Sequence, residues 1–385
     1  MAFDPDALVA AARQSTGLED FGGETWREGL EILCRSLSNE AELNGFGQMA
    51  LPGAIVGALT NRLKVTDWIK THPAVLNETI ERPFVVVGIF RAGTTLFSYL
   101  LEKDERHRPL YRWESSDSTP PPTPEGIATD PRIDATRAQM AIVDQVNPRM
   151  KVVQSEEPDG PTECISVTGQ DFKSTVWEAM ANIPEYGRWL ASVDHTSAYD
   201  YYKRVLQLLQ SGGVRKRWTL KAPSHALQLE QLVRVLPGAR LVLLHRDPVS
   251  VVTSACSLIS TLTGTFSDAD RKAYIAEQWV ETLARSYAAI ERFRAARPDV
   301  LIADVRYADL MRDPVATMRR VYGQFGDTIE GPPEEAMRKH IASRPQGKHG
   351  AHSYGAAEFG LDAGAILERF KPYIQKYDIT LEGKA

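Results

Sequence analysis

Hydrophobic positions follow a helical period in the first eighty residues of the chain. Apolar side chains recur there every three or four residues, which places them on one face of a helix. The two faces are formed by Trp26, Leu30, Leu33 and Leu37, and by Ile55, Leu59, Leu63 and Trp68. We predict that residues 1–80 form a helical N-terminal extension with a structural role, packed on a main domain of residues 81–385.

Beyond residue 80 the pattern changes to short apolar runs that alternate with helical stretches. The runs are continuous, as is typical of strands covered on both faces, and they comprise Phe84–Gly88, Trp218–Lys221, Arg240–His245 and Val300–Arg306. The helical patterns cover Thr94–Glu102, Ser224–Leu236, Pro248–Thr261, Arg271–Ala296 and Pro314–Phe325. This alternation predicts an α/β fold of three layers, with a central, mainly parallel sheet flanked by helices.

Composition and charge exclude several classes of protein. With 43% hydrophobic and 25% charged residues, the chain of 385 residues is typical of a globular protein with a sizeable core. The 45 Lys and Arg against 50 Asp and Glu give a net charge of −5, which argues against broad nucleic-acid binding. Three widely separated cysteines without a CxxC pair indicate a reducing compartment.

The N-terminus shows no secretory signal, because no basic segment precedes an apolar run. The most apolar stretch, Met49–Leu59, is too short to span a bilayer and contains Pro52. We therefore expect a cytoplasmic protein without a transmembrane segment and without a nucleic-acid partner.

The first predicted strand leads into a glycine-rich loop and then a helix, in the segment VVVGIFRAGTTLFSYLL. Gly88 and Gly93 have the spacing of a P-loop, which points backbone N–H groups and a helix dipole at an anion. A Walker A loop would continue with Lys and then Ser or Thr. Here Thr94 and Thr95 follow, and the cation, Arg91, lies inside the loop. The segment therefore predicts a site for a terminal 5′-phosphate group rather than for a nucleoside triphosphate with magnesium.

A second anion site is predicted where the strand of LVLLHRDPVSVVTSACSL ends. Arg246 follows the strand, at the edge where open parallel sheets bind ligands, and Asp247 is placed to cap the next helix. Ser250, Ser254 and Ser257 share one helix face. An arginine fork with serine hydroxyls suits a second phosphate. A structural ion pair of the arginine and a solvated face for the serines are the alternatives.

Six sequence segments between Pro83 and Ile379, taken in their order along the chain, resemble the PAPS-dependent sulfotransferases, in particular their bacterial, actinobacterial-type branch. They are FVVVGIFRAGTT, PLYRWES, RWTLKAPSH, LVLLHRDPVSVVTS, VRYADLMRDP and RPQGKHGAHSYGAAEFGL. The resemblance implies a P-loop-like fold and a co-substrate, PAPS (3′-phosphoadenosine-5′-phosphosulfate). It also implies transfer of the sulfuryl group to a hydroxyl, or an amine, of a small-molecule, lipid or glycan acceptor, with release of PAP.

The resemblance also implies which residues hold the nucleotide. The 5′-phosphosulfate loop comprises Arg91, Ala92, Gly93, Thr94 and Thr95, with alanine where the family often has serine. Arg246 and Ser254 match the residues that bind the 3′-phosphate, and Tyr307 matches a tyrosine near the nucleotide. Gly347 and Lys348 match a segment that closes over the 3′-phosphate.

Four residues are candidates for the chemistry. A cation near the bridging oxygen stabilises the departing PAP, and Arg91 and Lys221 match that role. The acceptor must also lose a proton. Glu114 is the first choice as general base and His225 is its rival. The acidic residues Glu156, Glu157 and Glu163 either line the mouth of the acceptor site or are solvated charges of a loop.

Two other functions stay open at this point: a nucleotide kinase-like P-loop phosphotransferase, and a noncatalytic PAP- or PAPS-binding protein. The missing Walker lysine argues against the first, and the presence of Arg91, Lys221 and Glu114 argues against the second. No grouping of His, Asp and Glu has metal-ligand spacing, so we expect a metal-independent enzyme.

Overall fold

The structure is a computed structural model that describes residues 3–150, 157–343 and 355–383. The chain forms two compact units. The first comprises Met1–Ile80, Leu110–Arg215 and Thr261–Asp270, and the second comprises Glu81–Pro109, Lys216–Ser260 and Arg271–Ala385. The division into residues 1–80 and 81–385 stays a prediction.

The first unit is built of helices around one hydrophobic core. Its helices are Pro5–Thr16, Arg27–Asn39, Gly45–Thr71, Arg112–Ser116, Pro131–Val146, Ile165–Thr168, Val176–Met180, Pro184–Leu190 and Thr196–Ser211. Short 3₁₀ helices are Pro73–Asn77, Ile127–Thr129 and Gly169–Asp171. The predicted apolar faces are confirmed, because all their members except the half-buried Trp68 are buried.

The second unit contains a five-stranded parallel sheet. Its strands are β1 (Phe84–Gly88), β2 (His107–Pro109), β3 (Arg217–Lys221), β4 (Arg240–His245) and β5 (Ile302–Arg306), in the order β2-β3-β1-β4-β5. Every neighbouring pair is parallel. Every residue of β1 and β4 is buried, which explains their continuous apolar sequences. The predicted parallel α/β architecture is thus confirmed.

Helices in the second unit follow or separate these strands. They are Thr94–Glu102, Leu229–Val235, Pro248–Thr263, Lys272–Ala296, Tyr307–Arg312, Pro314–Gln324, Pro332–Ser343, Ala363–Arg369 and Lys371–Lys376. Two 3₁₀ helices are Pro223–Leu227 and Ala356–Phe359. No helix of the described ranges is long and apolar enough to cross a membrane.

Two predicted elements differ from the structure. The predicted helix Ser224–Leu236 is a 3₁₀ helix followed by a short α-helix, because the backbone of Gln228 leaves the helical region at φ −133°. The third strand candidate after β1, Val300–Arg306, begins two residues later, at Ile302. Strand β2 has only three residues and no apolar run, so the sequence pattern did not predict it.

The parallel topology brings the chemistry-bearing segments to one edge of the sheet. Since all five strands run in the same direction, their carboxyl ends meet at that edge. Three connecting segments begin at this edge, namely the loop after Gly88 and the turns after His245 and Arg306, and β3 ends there at Lys221.

Candidate active site

At two positions around the loop after β1, the backbone adopts a conformation that favours glycine. Gly88 has φ +144°, and a Cβ atom there would lie 3.0 Å from both N and O of Leu244. Gly93 has φ +92° and directly precedes the helix Thr94–Glu102. Because the first N–H groups of a helix have no intrahelical partners, this turn presents donors and a positive dipole end to an anion.

Arg91 links this loop to the helix after β4. Its Nε donates a hydrogen bond to Ser254 Oγ over 3.0 Å, and its carbonyl oxygen accepts from Arg246 Nη1 over 2.8 Å. Arg91 has φ +62°, a left-handed conformation that non-glycine residues seldom adopt. The two anion sites predicted from separate sequence segments are therefore one connected cluster.

Tyr307 completes the cluster from the carboxyl end of β5. The guanidinium carbon of Arg246 lies 4.1 Å from the centroid of the Tyr307 ring. A Cβ atom added to Gly93 would lie 3.1 Å from Cδ2 of the same ring, so Tyr307 packs directly against the loop. Five predicted nucleotide-binding residues are thus brought together: Arg91, Gly93, Arg246, Ser254 and Tyr307.

The side chain of Arg246 has a carboxylate partner, Glu382, that no sequence motif indicates. Nε and Nη2 donate to Glu382 Oε1 and Oε2 over 2.6 and 2.7 Å. Burial is the largest single influence on the pKa of Arg246 and lowers it, but the hydrogen bond to Glu382 and the charges of Tyr307, Glu382 and Asp247 together leave the pKa raised. Tyr373 Oη accepts from the Arg246 N–H over 3.2 Å and donates to its carbonyl oxygen over 3.3 Å. No sequence motif marks Glu382 or Tyr373, and Glu382 lies 136 residues after Arg246 in the chain.

The polar residues that follow Arg246 have structural roles in the next helix. Asp247 Oδ1 accepts from the N–H of Val249 over 3.1 Å, which confirms the predicted cap. Ser250 Oγ donates to Asp247 Oδ2 over 2.8 Å and so has a structural partner. Ser257 is buried, so it does not lie on a solvated helix face.

Lys221 and His225 lie at the carboxyl end of β3. Lys221 is the last strand residue, pairs in register with Val86 of β1, and is only 2% exposed. His225 lies in the 3₁₀ helix Pro223–Leu227, where burial lowers its pKa to about 3. The imidazole is therefore neutral at neutral pH and is a weak base in this environment.

Glu114 lies in the first unit, on the helix Arg112–Ser116, and is fully buried. Its Oε2 accepts from the N–H of Tyr111 over 3.1 Å, as in a capping box. Its carbonyl oxygen accepts from Ser118 Oγ over 2.9 Å. The carboxylate therefore has a structural contact in addition to any chemical role.

Glu163 is a half-buried carboxylate on a segment beside the same helix. Thr162 N–H donates to Leu110 O over 2.9 Å, and Tyr111 forms a bridge with Pro161. Two of the predicted nucleotide-binding residues, Gly347 and Lys348, lie outside the described residues, as does Glu156. Within the described ranges, no group of three or more His, Cys, Asp or Glu side chains is arranged to hold a metal ion.

Comparison with known proteins decides the family. A sequence profile described as the sulfotransferase family matches residues 83–330. The protein belongs to this family. The resemblance read from the sequence is thus confirmed, and members of the family use PAPS as the sulfuryl donor.

Solved mycobacterial structures share the fold over nearly the whole chain. Sulfotransferase STF9 from Mycobacterium avium is 33% identical with a TM-score of 0.90, over 98% of this chain and 97% of that one. Sulfotransferase STF1 from Mycobacterium tuberculosis is 32% identical with a TM-score of 0.82, over 95% of this chain and 98% of that one.

Sequence relatives with a named substrate are more distant. The protein Stf3 of Mycobacterium bovis, named an omega-hydroxy-beta-dihydromenaquinone-9 sulfotransferase, is 25% identical over 268 residues. The match covers 63% of this chain and spans 62% of the length of that relative. The same values hold for Stf3 of Mycobacterium tuberculosis.

Proposed function

We propose that this protein transfers the sulfuryl group of PAPS to a hydroxyl, or an amine, of a small-molecule, lipid or glycan acceptor and releases PAP. The observation that carries the proposal is the contact of Arg246 with the loop of Arg91. It joins a helix N-terminus suited to a 5′-phosphosulfate to an arginine fork suited to a 3′-phosphate. PAPS carries these two separated anionic groups, so the donor set fits this nucleotide.

Binding of the donor would divide between the two ends of the cluster. The 5′-phosphosulfate would take backbone N–H groups of Gly93, Thr94 and Thr95 at the start of the helix. Ala92 is buried and contributes no hydroxyl. Arg246 and Ser254 would hold the 3′-phosphate, and the ring of Tyr307 packs against the guanidinium of Arg246. Gly347 and Lys348 stay predicted contacts of the same phosphate.

Arg91 and Lys221 are the proposed catalytic cations. In sulfuryl transfer the bond from sulfur to the acceptor oxygen forms as the bond from sulfur to the bridging phosphate oxygen breaks. Negative charge then grows on that phosphate oxygen, and a cation held beside it stabilises the transition state more than the ground state. Lys221 suits this task because the sheet register fixes its backbone at the ligand-binding edge.

Glu114 is the proposed general base, which takes the proton of the acceptor. Its burial keeps the carboxylate out of bulk water, and its helix Arg112–Ser116 holds it in place. Glu163 is the second candidate, because it is a more exposed carboxylate on the segment bridged to Tyr111. His225 is the third, and burial, which lowers its pKa to about 3, makes it a weak base.

Two further aspects of the proposal concern the acceptor and the compartment. The named acceptor of the Stf3 relatives is a hydroxylated dihydromenaquinone, which supports a hydroxyl acceptor with an apolar body for this protein. The three cysteines all lie in the described ranges, where they are buried and form no disulfide, which supports a reducing, cytoplasmic location.

The acceptor class is tested by incubating the protein with sulfur-labelled PAPS and separate extracts of lipids and of polar metabolites. We expect a labelled product, formed together with PAP, and we expect it in the lipid arm. A product confined to the polar arm would show that the acceptor is a polar metabolite and not a lipid. Failure to form any product or PAP in either arm would contradict the proposed activity. Labelled ATP in place of PAPS tests the kinase-like alternative.

A further inference from the structure

We propose that Glu382 competes with the 3′-phosphate of the nucleotide for Arg246, and that its carboxylate leaves the arginine when PAPS or PAP binds. Glu382 would then lower the affinity for both nucleotides and speed the release of PAP. This inference rests on the proposed function, in which Arg246 binds the 3′-phosphate.

The contact of Glu382 with Arg246 has the geometry of a bound oxyanion. Nε and Nη2 of the guanidinium donate two nearly equal hydrogen bonds, of 2.6 and 2.7 Å, to the two carboxylate oxygens. Parallel bonds of this kind are how an arginine binds a carboxylate or a phosphate. The carboxylate therefore occupies the position that one edge of a 3′-phosphate would take.

Other contacts occupy a second donor and one face of the guanidinium. Nη1 donates to the carbonyl oxygen of Arg91 over 2.8 Å, and the ring of Tyr307 covers one face at 4.1 Å. The edge formed by Nε and Nη2 is the one that offers two parallel donors outside the Arg91 contact. A phosphate that binds both donors must displace Glu382.

The segment that carries Glu382 is attached lightly. Ile379 is the last buried residue before it, whereas Thr380, Leu381 and Gly383 are exposed. The N–H of Glu382 donates to Asp247 Oδ2 over a long 3.3 Å. Lifting this segment would therefore expose little apolar surface, and its main cost is the ion pair itself.

The ion pair is only partly shielded from water. The side chain of Glu382 is 27% exposed and that of Arg246 is 18% exposed. A phosphate offers the same parallel acceptors with two negative charges, so it can replace the single carboxylate charge. If the carboxylate stayed in place, its charge would repel the phosphate.

A supporting role for Glu382 makes the opposite prediction. If its function is to hold Arg246 in the orientation that binds phosphate, its removal lowers the affinity for PAP. The sign of the change in affinity thus separates competition from support.

The test measures binding of PAP and of adenosine 5′-phosphosulfate by calorimetry in wild type and in Glu382→Gln. Competition predicts about three- to tenfold tighter PAP binding in the variant and no change for adenosine 5′-phosphosulfate, which has no 3′-phosphate. Glu281→Gln is the matched control, because it removes an exposed carboxylate paired with Arg369 in the same unit. We expect the control to bind both ligands like wild type. Weaker or unchanged PAP binding by Glu382→Gln would overturn the inference.

A second measurement uses wild type alone and is independent of how the variant folds. Saturating PAP should raise the rate of amide hydrogen exchange in the segment Thr380–Gly383, and adenosine 5′-phosphosulfate should not. Slower exchange with PAP would show that the carboxylate stays on Arg246 and would overturn the inference. Failure of the proposed function looks different, because wild type would then bind PAP no better than a nucleotide without the 3′-phosphate.

Discussion

Arg91 Nε donates a hydrogen bond to Ser254 Oγ over 3.0 Å, although 163 residues separate the two in sequence. The bond ties the loop after β1 to the helix Pro248–Thr263. Arg91 has a left-handed backbone, which non-glycine residues maintain only where the surroundings hold them. Ser254 is therefore placed to orient the proposed catalytic arginine, in addition to its proposed contact with the 3′-phosphate.

We predict that Ser254→Ala lowers kcat/KM for sulfuryl transfer by about tenfold, since one hydrogen bond to a charged group is lost. Both kcat and KM for PAPS should change, because in the proposed function the hydroxyl orients the catalytic Arg91 and also contacts the 3′-phosphate. Steady-state kinetics check this prediction. Ser250→Ala is the matched control one turn earlier on the helix, where the hydroxyl bonds to Asp247 instead. Equal effects of the two substitutions would show that only helix stability is involved.

The general base is tested by Glu114→Gln. Glutamine keeps the hydrogen bond to the N–H of Tyr111, because its carbonyl oxygen accepts as the carboxylate does. Turnover of an alkyl alcohol should fall by about 10²–10⁴-fold, while PAP binding stays near the wild-type value. The loss should shrink with nitrophenols, which need little help to lose a proton.

Three further variants, assayed in parallel, test the other candidate bases and the cation at the leaving group. His225→Asn and Glu163→Gln should each lower turnover less than Glu114→Gln, whereas Lys221→Ala should slow every acceptor because it acts on the leaving group. The same alcohol and nitrophenol assay serves for all of them. Normal turnover by Glu114→Gln together with an inactive Glu163→Gln or His225→Asn would reassign the base to that residue.

Catalysis should not require a divalent metal ion. In the P-loop the second glycine is followed by Thr94 rather than by the Walker lysine, and Arg91 provides the cation. We expect wild-type turnover to be unchanged by a chelator. If activity disappeared on chelation and returned with magnesium, the metal-free mechanism would be wrong.

His225 should weaken the protein in acid. Its pKa is about 3 in the folded protein because of burial, against 6.5 as the ordinary value. Between these two pH values the unfolded chain binds the extra proton, so stability falls as the pH falls, by about 1.4 kcal/mol per pH unit. Urea unfolding of wild type and His225→Asn between these pH values measures the two slopes. The variant should lose less stability per pH unit, and parallel slopes would contradict the assignment.

The sequence predicted those elements whose physical signal is local. β1 and β4 were predicted because strands buried on both faces are continuously apolar. The helix Thr94–Glu102 was predicted to the residue, since Gly93 marks its start. β2 was missed because three residues at the edge of a sheet, one of them proline, carry no apolar pattern.

The candidate site was predictable where a residue type has a chemical meaning at its position, as for Arg91 and Arg246. Its supporting contacts were not, since a hydrogen bond between distant residues leaves no local pattern. Asn61 Nδ2 donates to Gln170 Oε1 over 2.8 Å, and Gln170 Nε2 donates to Ser115 O beside Glu114 over 2.8 Å. Only the folded chain reveals this buried support.

The central claim is tested most directly by comparing PAPS with adenosine 5′-phosphosulfate as sulfuryl donors for wild type and Arg246→Ala. A lost hydrogen bond to a charged group costs about 1.5–3 kcal/mol, so we predict that the substitution lowers kcat/KM for PAPS by about 10- to 100-fold. It should leave the use of adenosine 5′-phosphosulfate nearly unchanged. An equal loss with both donors, or no transfer from PAPS by wild type, would contradict the account.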